Sequence, residues 1–147
     1  MRIVVDTNVI IGALFEDDGW CEAIFEQDDV EILANQEMLH ELSVVFELHM
    51  IEYSSSKNPD MDRIKRIRRE FKTILEDITI IPHNTRTTFC KSDHTDDIFV
   101  DCAIDGDAAI VITNNYMDLF GYESNIRKQF GKTVKFLRPR EFIKERA

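Results

Sequence analysis

Short apolar runs alternate with longer amphipathic segments along the whole chain. Continuous apolar runs are typical of strands that are buried on both faces of a parallel sheet. Strands are predicted at residues 2–5, 30–33, 78–82, 108–113 and 134–137. Helices are predicted at residues 9–15, 19–27, 35–50, 59–77, 92–106, 122–130 and 139–145. This alternation predicts an α/β fold, a three-layer α/β/α sandwich with a central, mostly parallel sheet, built as one domain from residues 1–147.

Helical periodicity also predicts which side chains face the core. In the helix at 19–27, Trp20, Ala23 and Ile24 lie on one face, which is the apolar face of the helix. Asn35 is expected to cap the helix at 35–50, because its amide oxygen can accept a hydrogen bond from a free N–H of the first turn.

The composition and net charge of the chain disfavour some classes of function. The 147 residues are 44% hydrophobic, which is enough for a proper core, and their formal net charge is −10. Proteins that coat nucleic acid through bulk charge are usually basic, so that class is disfavoured, whereas an enzyme that reaches phosphates through bound metal is not. The one dense basic run, residues 63–72, is open to two interpretations. It either grips an RNA backbone or, as we favour, forms the solvated face of an amphipathic helix.

Other features indicate where the protein works. The three cysteines are Cys21, Cys90 and Cys102, with no C-x-x-C pair, so disulfides and a structural zinc site are not expected. Asp6 interrupts the apolar start, which argues against a signal peptide, and no apolar run approaches the roughly 20 residues of a membrane span. We expect a soluble, cytoplasmic protein.

Acidic and polar residues follow two of the predicted strands. Asp6 follows the first strand, Thr113 ends the fourth, and Asp97 opens the helix between them. Ligands of open parallel sheets bind beyond the carboxyl ends of the strands, so these residues are candidates for a site. Glu41, on the helix at 35–50, is a further candidate. These residues also have structural explanations: Asp6 as an Asx-turn or helix cap, Asp97 as a helix start, and Glu41 as a solvated helix residue. Asn114 and Asn115 can likewise be turn and cap residues.

Four segments in order resemble one family. They are "VVDTNVII", "HELSVVF", "DDIFVDCA" and "IVITNN", and "RPREFIK" closes the chain. Together they are similar to the PIN domain family, the small metal-dependent ribonucleases that include many toxins of toxin–antitoxin pairs. The resemblance covers nearly the whole chain.

The resemblance implies roles for individual residues. Asp6 matches the first metal-binding acid, Asp97 the third acid, and Glu41 the helix acid that completes the pocket. Thr7 and Asn8, which follow Asp6 in the most recognisable segment, are supporting residues.

The fourth polar position departs from the usual pattern. Thr113 matches the supporting hydroxyl residue ahead of it, but Asn115 stands where many members have Asp. Some branches carry "T-x-N-x-x-D-F", which "TNNYMDLF" resembles. In that form Asp118 supplies the missing charge as a metal ligand, or else Asn115 holds a metal-bound water with a neutral amide. Asn115 is thus a catalytic candidate with Asp6, Glu41 and Asp97.

The function implied is hydrolysis of RNA phosphodiester bonds with Mg²⁺ or Mn²⁺, which prefer hard oxygen ligands. The family also implies a homodimer and an antitoxin partner protein. One alternative is a PIN-like protein that binds RNA or a partner without cutting, favoured by Asn115. A phosphotransferase of the haloacid dehalogenase type also begins with a strand ending in Asp, but it needs a second Asp where this chain has Asn8.

Overall fold

The computed structural model describes residues 1–89, 95–114 and 119–147. Five strands lie in these residues: β1 Arg2–Val5, β2 Glu31–Ala34, β3 Thr79–Ile80, β4 Ile110–Ile112 and β5 Lys135–Leu137. Seven helices lie in the same part of the chain: α1 Thr7–Phe15, α2 Gly19–Ile24, α3 Gln36–Ser54, α4 Met61–Asp77, α5 Thr95–Asp105, α6 Leu119–Phe130 and α7 Pro139–Arg146. The predicted order of strands and helices is confirmed.

The strands form one sheet in the order β3-β2-β1-β4-β5, and all four pairings are parallel. β1 lies in the middle, and its residues Ile3, Val4 and Val5 are almost completely buried. A strand buried on both faces has no polar face, which explains the continuous apolar run at the start of the sequence. The α/β/α sandwich with a mostly parallel sheet is therefore confirmed, and the sheet is parallel in every pairing.

The helices bury the faces that their periodicity indicates, with one exception. In α4, Ile64 and Ile67 are buried, and the ring of Phe71 stacks on Phe46 of α3 at 3.8 Å between centroids. Such a pair adds roughly 0.5–1.5 kcal/mol to the burial of its area. Trp20, which was expected to face the core, is 43% exposed.

The exposure of Trp20 follows from the shortness of α2. This helix has six residues, and the side chain of Asp18 caps it by accepting hydrogen bonds from the N–H groups of Trp20 and Cys21. Cys21 and Ile24, three positions apart, take the buried face. Trp20 is left at the rim, with the guanidinium of Arg140 5.9 Å from its ring centroid.

The segment after β3 differs from the predicted strand at 78–82. Only Thr79–Ile80 joins the sheet as a strand, and the Ile81 N–H makes one further bond to the Ala34 carbonyl. Residues 81–89, called the strap below, belong to no helix or strand. Hydrogen bonds to α5 hold the strap, as described with the site.

Two cysteines lie in the described residues, Cys21 and Cys102, and both are free and buried. Burial is the main cause that raises the pKa of each thiol to about 12. Both are therefore neutral and unreactive at physiological pH. Across the described ranges, no helix combines the length and the apolar character that crossing a membrane requires.

Candidate active site

The strand order places a crevice between β1 and β4. From β1 the chain builds outward to β2 and β3 on one side, and to β4 and β5 on the other. At such a switch point the connections leave in opposite directions, and a cleft opens beyond the carboxyl ends of the two strands. Asp6 follows β1 directly and Thr113 follows β4 directly. Both predicted residues therefore stand at the place where parallel α/β sheets bind ligands.

Asp6 and Thr113 are in direct contact. Thr113 Oγ1 donates a hydrogen bond of 2.8 Å to Asp6 Oδ2, and both side chains are buried. The backbones are joined as well, because the Asp6 N–H donates to the Ile112 carbonyl at 2.9 Å. The fold thus fixes one carboxylate oxygen of Asp6 against the end of β4.

The structural explanation for Asp6 does not hold. Asp6 occupies the N-cap position of α1, and its carbonyl accepts from the N–H groups of Val9 and Ile10. Its side chain makes no capping hydrogen bond. Asn35 at the start of α3 is the contrast, because its side chain accepts from the Met38 N–H at 2.9 Å, as predicted for a cap. A buried carboxylate that does not cap its helix is costly unless other groups engage it.

Asp97 is also buried, with 4% of its surface exposed, in the first turns of α5. This helix packs on β1, β2 and β4. Asn35 ties it to the end of β2, because Asn35 Nδ2 donates to the carbonyl of Ile98 at 3.1 Å. The first turns of α5 therefore lie against the carboxyl end of the sheet, and Asp97 is held in the interior rather than on a solvated helix end.

Glu41 lies one and a half turns into α3 and is half-buried. It lines a cavity of about 490 Å³ together with Ile98 of α5, the residue next to Asp97. Glu41 is thus not a fully solvated helix residue. α3 and α5 bring it to a space that borders the helix carrying Asp97.

The supporting residues separate into two groups. Thr7, the first residue of α1, is buried beside Asp6, whereas Asn8 is exposed.

Asn114 follows Thr113 and is exposed. Its side chain makes a hydrogen bond to the thiol of Cys21, and this bond opposes the rise in the pKa of that thiol. Asn114 therefore links the end of β4 to α2.

Two predicted residues, Asn115 and Asp118, lie outside the described residues. Within residues 1–89, 95–114 and 119–147, no group of three or more His, Cys, Asp and Glu side chains is arranged to hold a metal ion. The described part of the chain contributes buried carboxylates at Asp6 and Asp97.

Comparison with known proteins identifies the family and a similar fold. The model of the PIN domain matches residues 2–117, which is more than half of the chain. This chain belongs to the PIN domain family. Its fold is similar to a crystal structure of VapBC2 from Rickettsia felis bound to a DNA fragment from the promoter, with a TM-score of 0.50 and 15% sequence identity. That match covers 92% of this chain and 98% of the other, and at this identity it concerns the fold alone. Among curated proteins, no sequence matches.

Sequence reasoning missed a polar network on α5 of this PIN domain. Asp101, one turn after Asp97, is buried and accepts three hydrogen bonds of 2.7 Å, from His83 Nε2 and from the N–H and Oγ1 of Thr87. The burial of Asp101 and its hydrogen bonds to the strap exclude a surface role and a helix-capping role for this side chain.

Asp105, one turn further along α5, holds the strap at a second point. It accepts from the N–H groups of Asn84 and Thr85 and from the Thr85 hydroxyl at 2.6 Å. Burial raises the pKa of Asp105, but these hydrogen bonds outweigh it and hold the pKa below the ordinary value. Acids spaced four apart at 97, 101 and 105 were the available signal, because such positions share one helix face.

The basic run on α4 is largely neutralised by neighbouring acids. Four of its six cations form ion pairs: Arg63 with Asp17, Arg66 with Glu70, Arg68 with Glu47 and Lys72 with Glu76, at 3.3–4.0 Å. Exposed pairs of this kind contribute little to stability, typically under about 1 kcal/mol. They reduce the positive field that an RNA backbone would meet, so the solvated-face interpretation is favoured for this PIN domain.

Proposed function

We propose that this protein is a divalent-metal-dependent ribonuclease that hydrolyses RNA phosphodiester bonds and acts as the toxin of a toxin–antitoxin pair. One observation carries the proposal. In a chain of the PIN domain family, the Asp6 carboxylate is buried at the β1–β4 crevice, engaged by Thr113 and unused as a helix cap. A fold gains no stability from burying a carboxylate at this place unless the charge has a use.

The residues fit a hard divalent cation, Mg²⁺ or Mn²⁺. Asp6 and Asp97 offer carboxylate oxygens, which these ions prefer, and both side chains are more than nine-tenths buried. Neither ion favours the thiol or imidazole ligands that a zinc site would use. Such a cation supplies charge neutralisation at the phosphate and a lowered pKa of bound water. Asp6 and Asp97 are the proposed direct ligands, and Asp118 is proposed as a further one.

The chain's own side chains position the reaction. Thr113 donates to Asp6 Oδ2 and so orients that carboxylate. Glu41, on the wall of the neighbouring cavity, is proposed to bind the cation through a water molecule or to orient the attacking water. Thr7, the residue after Asp6, is buried, and Asn115 is proposed to complete the site.

The alternative is a PIN domain that binds RNA or a partner protein without cutting. Asn115 favours it, since an amide in place of the usual acid removes one negative charge from the site. The burial of both Asp6 and Asp97 supports the nuclease, because a site without a charged ligand to bind would gain from losing them.

The test compares RNA cleavage by the wild type, Asp97→Asn and Asp62→Asn. Asp62 receives the same substitution on the exposed first turn of α4 and serves as the matched control. Each protein is incubated with labelled single-stranded and structured RNAs in EDTA, Mg²⁺ or Mn²⁺. We expect metal-dependent cleavage that Asp97→Asn lowers at least about 100-fold, since residues behind metal ligands already cost 10- to 100-fold when changed. Asp62→Asn should cut as the wild type does.

The other outcomes are equally decisive. Equal cleavage by Asp97→Asn means a contaminating nuclease and contradicts the proposal. Absence of cleavage by the wild type on every RNA, with RNA binding retained, supports the alternative without catalysis.

The proposed partners follow from the same assignment. The similar structure from Rickettsia felis is that of VapBC2, and we propose an antitoxin protein and a homodimer for this chain as well. On α3, the apolar side chains of Val44, Leu48 and Ile51 are 47–62% exposed and lie about one turn apart. An apolar stripe of this kind on a helix is typical of a surface that contacts another protein. A cytoplasmic location is proposed with these partners.

A further inference from the structure

His83, on the strap, lies between carboxylates from two helices. Its Nε2 is 2.7 Å from Asp101 Oδ2 of α5, and its Nδ1 is 3.0 Å from Glu37 Oε1 of α3. The side chain is 8% exposed, so the ring is held inside the protein rather than at its surface. Arg86, also on the strap, pairs with Glu37 and places Nη1 3.0 Å from His83 Nδ1. One imidazole therefore joins α3, α5 and the strap.

The two bridged carboxylates are in register with two proposed site residues. Glu37 precedes Glu41 by four residues on α3, and Asp101 follows Asp97 by four residues on α5. Residues four apart on a helix lie on one face, about 6 Å apart along the axis. The His83 bridge thus joins α3 and α5 one turn away from the acids that each helix carries.

α3 and α5 also border an open cavity where Glu41 lies. The cavity has a volume of about 490 Å³ and is lined by Glu41 and Val45 of α3 and by Ile98 of α5. Fewer side chains interdigitate beside such an opening, so polar bonds between the helices contribute more to their spacing there. The bond from Asn35 to the Ile98 carbonyl and the His83 bridge are two such bonds among the described residues.

We propose that His83 is a positioning residue, which sets the spacing between Glu41 and Asp97 by joining Glu37 to Asp101. This inference rests on the proposed metal-dependent function. His83 itself touches neither substrate nor metal. Its contribution is to hold the two acid-bearing helices at the separation that the cation and the phosphate require.

The charges around the ring suit this task. The hydrogen bond from Arg86 is the main cause that lowers the pKa of Glu37, so Glu37 is ionised at neutral pH. The N–H and the hydroxyl of Thr87 donate hydrogen bonds to the other carboxylate oxygen of Asp101, Oδ1. Nδ1 has a partner in either ring state, because it can accept from Arg86 or, when protonated, donate to Glu37. Both ring nitrogens of His83 therefore have polar partners.

The test measures the dissociation constant of Mn²⁺ by calorimetry, together with the melting temperature, in three proteins. His83→Gln leaves one donor for Asp101 but cannot also reach Glu37. Thr85→Val is the matched control, because it removes a strap bond to Asp105 that does not extend to α3. We expect both variants to melt earlier, His83→Gln to bind Mn²⁺ about 10-fold more weakly, and Thr85→Val to bind within twofold of the wild type.

The outcomes separate this inference from the proposed function. Wild-type protein that fails to bind Mn²⁺ overturns both. Wild-type binding with an unchanged constant in His83→Gln overturns the positioning role and leaves the metal site standing. If His83→Gln fails to fold, Glu37→Ala takes its place, because it removes the bridge at an exposed helix residue. The same change in the Mn²⁺ dissociation constant is then expected for Glu37→Ala.

Discussion

Replacing Thr113 by Val removes one hydroxyl from the buried contact at the β1–β4 crevice. Valine has nearly the shape of threonine, and Thr113 is completely buried at the end of β4. The substitution therefore changes hydrogen bonding with little change in packing. Asp6 Oδ2 loses the donor that lies 2.8 Å away.

The magnitude follows from the character of this bond. A hydrogen bond to a charged group contributes about 1.5–3 kcal/mol, and a buried acceptor left without its donor costs about 1–3 kcal/mol. The methyl group of Val recovers part of this, about 0.8 kcal/mol, as buried apolar surface. We expect the free energy of unfolding to fall by about 2 kcal/mol. For a chain of this size that corresponds to a melting temperature roughly 4–8 °C lower.

Urea unfolding at pH 7 in EDTA measures the loss directly. Thr113→Ser is the control, because it keeps the hydroxyl and deletes only a methyl group, at a cost of about 1 kcal/mol. The same titrations in millimolar Mn²⁺ should separate Thr113→Val further from the wild type, since an unoriented Asp6 binds the cation less well. A loss below about 0.5 kcal/mol in EDTA, with an unchanged m-value, would refute the role assigned to the Thr113–Asp6 bond.

Two further predictions concern α5 and its surroundings. Gly106→Ala should lower the free energy of unfolding by about 1–2 kcal/mol, because a Cβ there would lie 2.3 Å from Leu33 Cδ1. Gly19→Ala is the control and should change it little, because nothing lies within 4 Å of a Cβ at that position. Equal urea midpoints for the two variants would contradict this prediction. Asp105→Asn should destabilise the protein more at pH 7 than at pH 3. The hydrogen bonds from Thr85 are the main cause that lowers the folded-state pKa of Asp105. The stabilisation from the ionised carboxylate is therefore present above the unfolded pKa of about 3.9 and is lost as the pH falls through the folded pKa. A difference in unfolding free energy between variant and wild type that stays constant with pH would refute this prediction.

Much of the architecture could be predicted from periodicity, because periodicity is a local property. An apolar run such as residues 2–5 can satisfy its backbone and bury its side chains only in the middle of a sheet, and β1 lies there. The amphipathic pattern of 59–77 predicted α4 and its inner face for the same reason. Where tertiary contacts compete with local preference, the prediction was wrong for Trp20, and the strand expected at 78–82 is shorter than predicted, covering Thr79–Ile80.

The candidate site also has features that the sequence predicts and features that depend on tertiary contacts. That Asp6 and Thr113 meet was predictable, because the carboxyl ends of parallel strands share one edge. The sequence could not predict that the Asp6 side chain leaves α1 uncapped, because a helix start offers the same free N–H groups whether or not the carboxylate turns to them. The sequence alone therefore left the choice between cap and ligand open.

The amino-acid sequence by itself determined the order of strands and helices, the parallel sheet and the sheet edge at which Asp6 meets Thr113. Tertiary structure decided which acids are buried and what engages them. His83 shows the reason, because its partners lie 18 residues away in Asp101 and on the distant helix α3 in Glu37. Such contacts depend on how helices pack over the sheet, and no local pattern of residues encodes the distance between two helices.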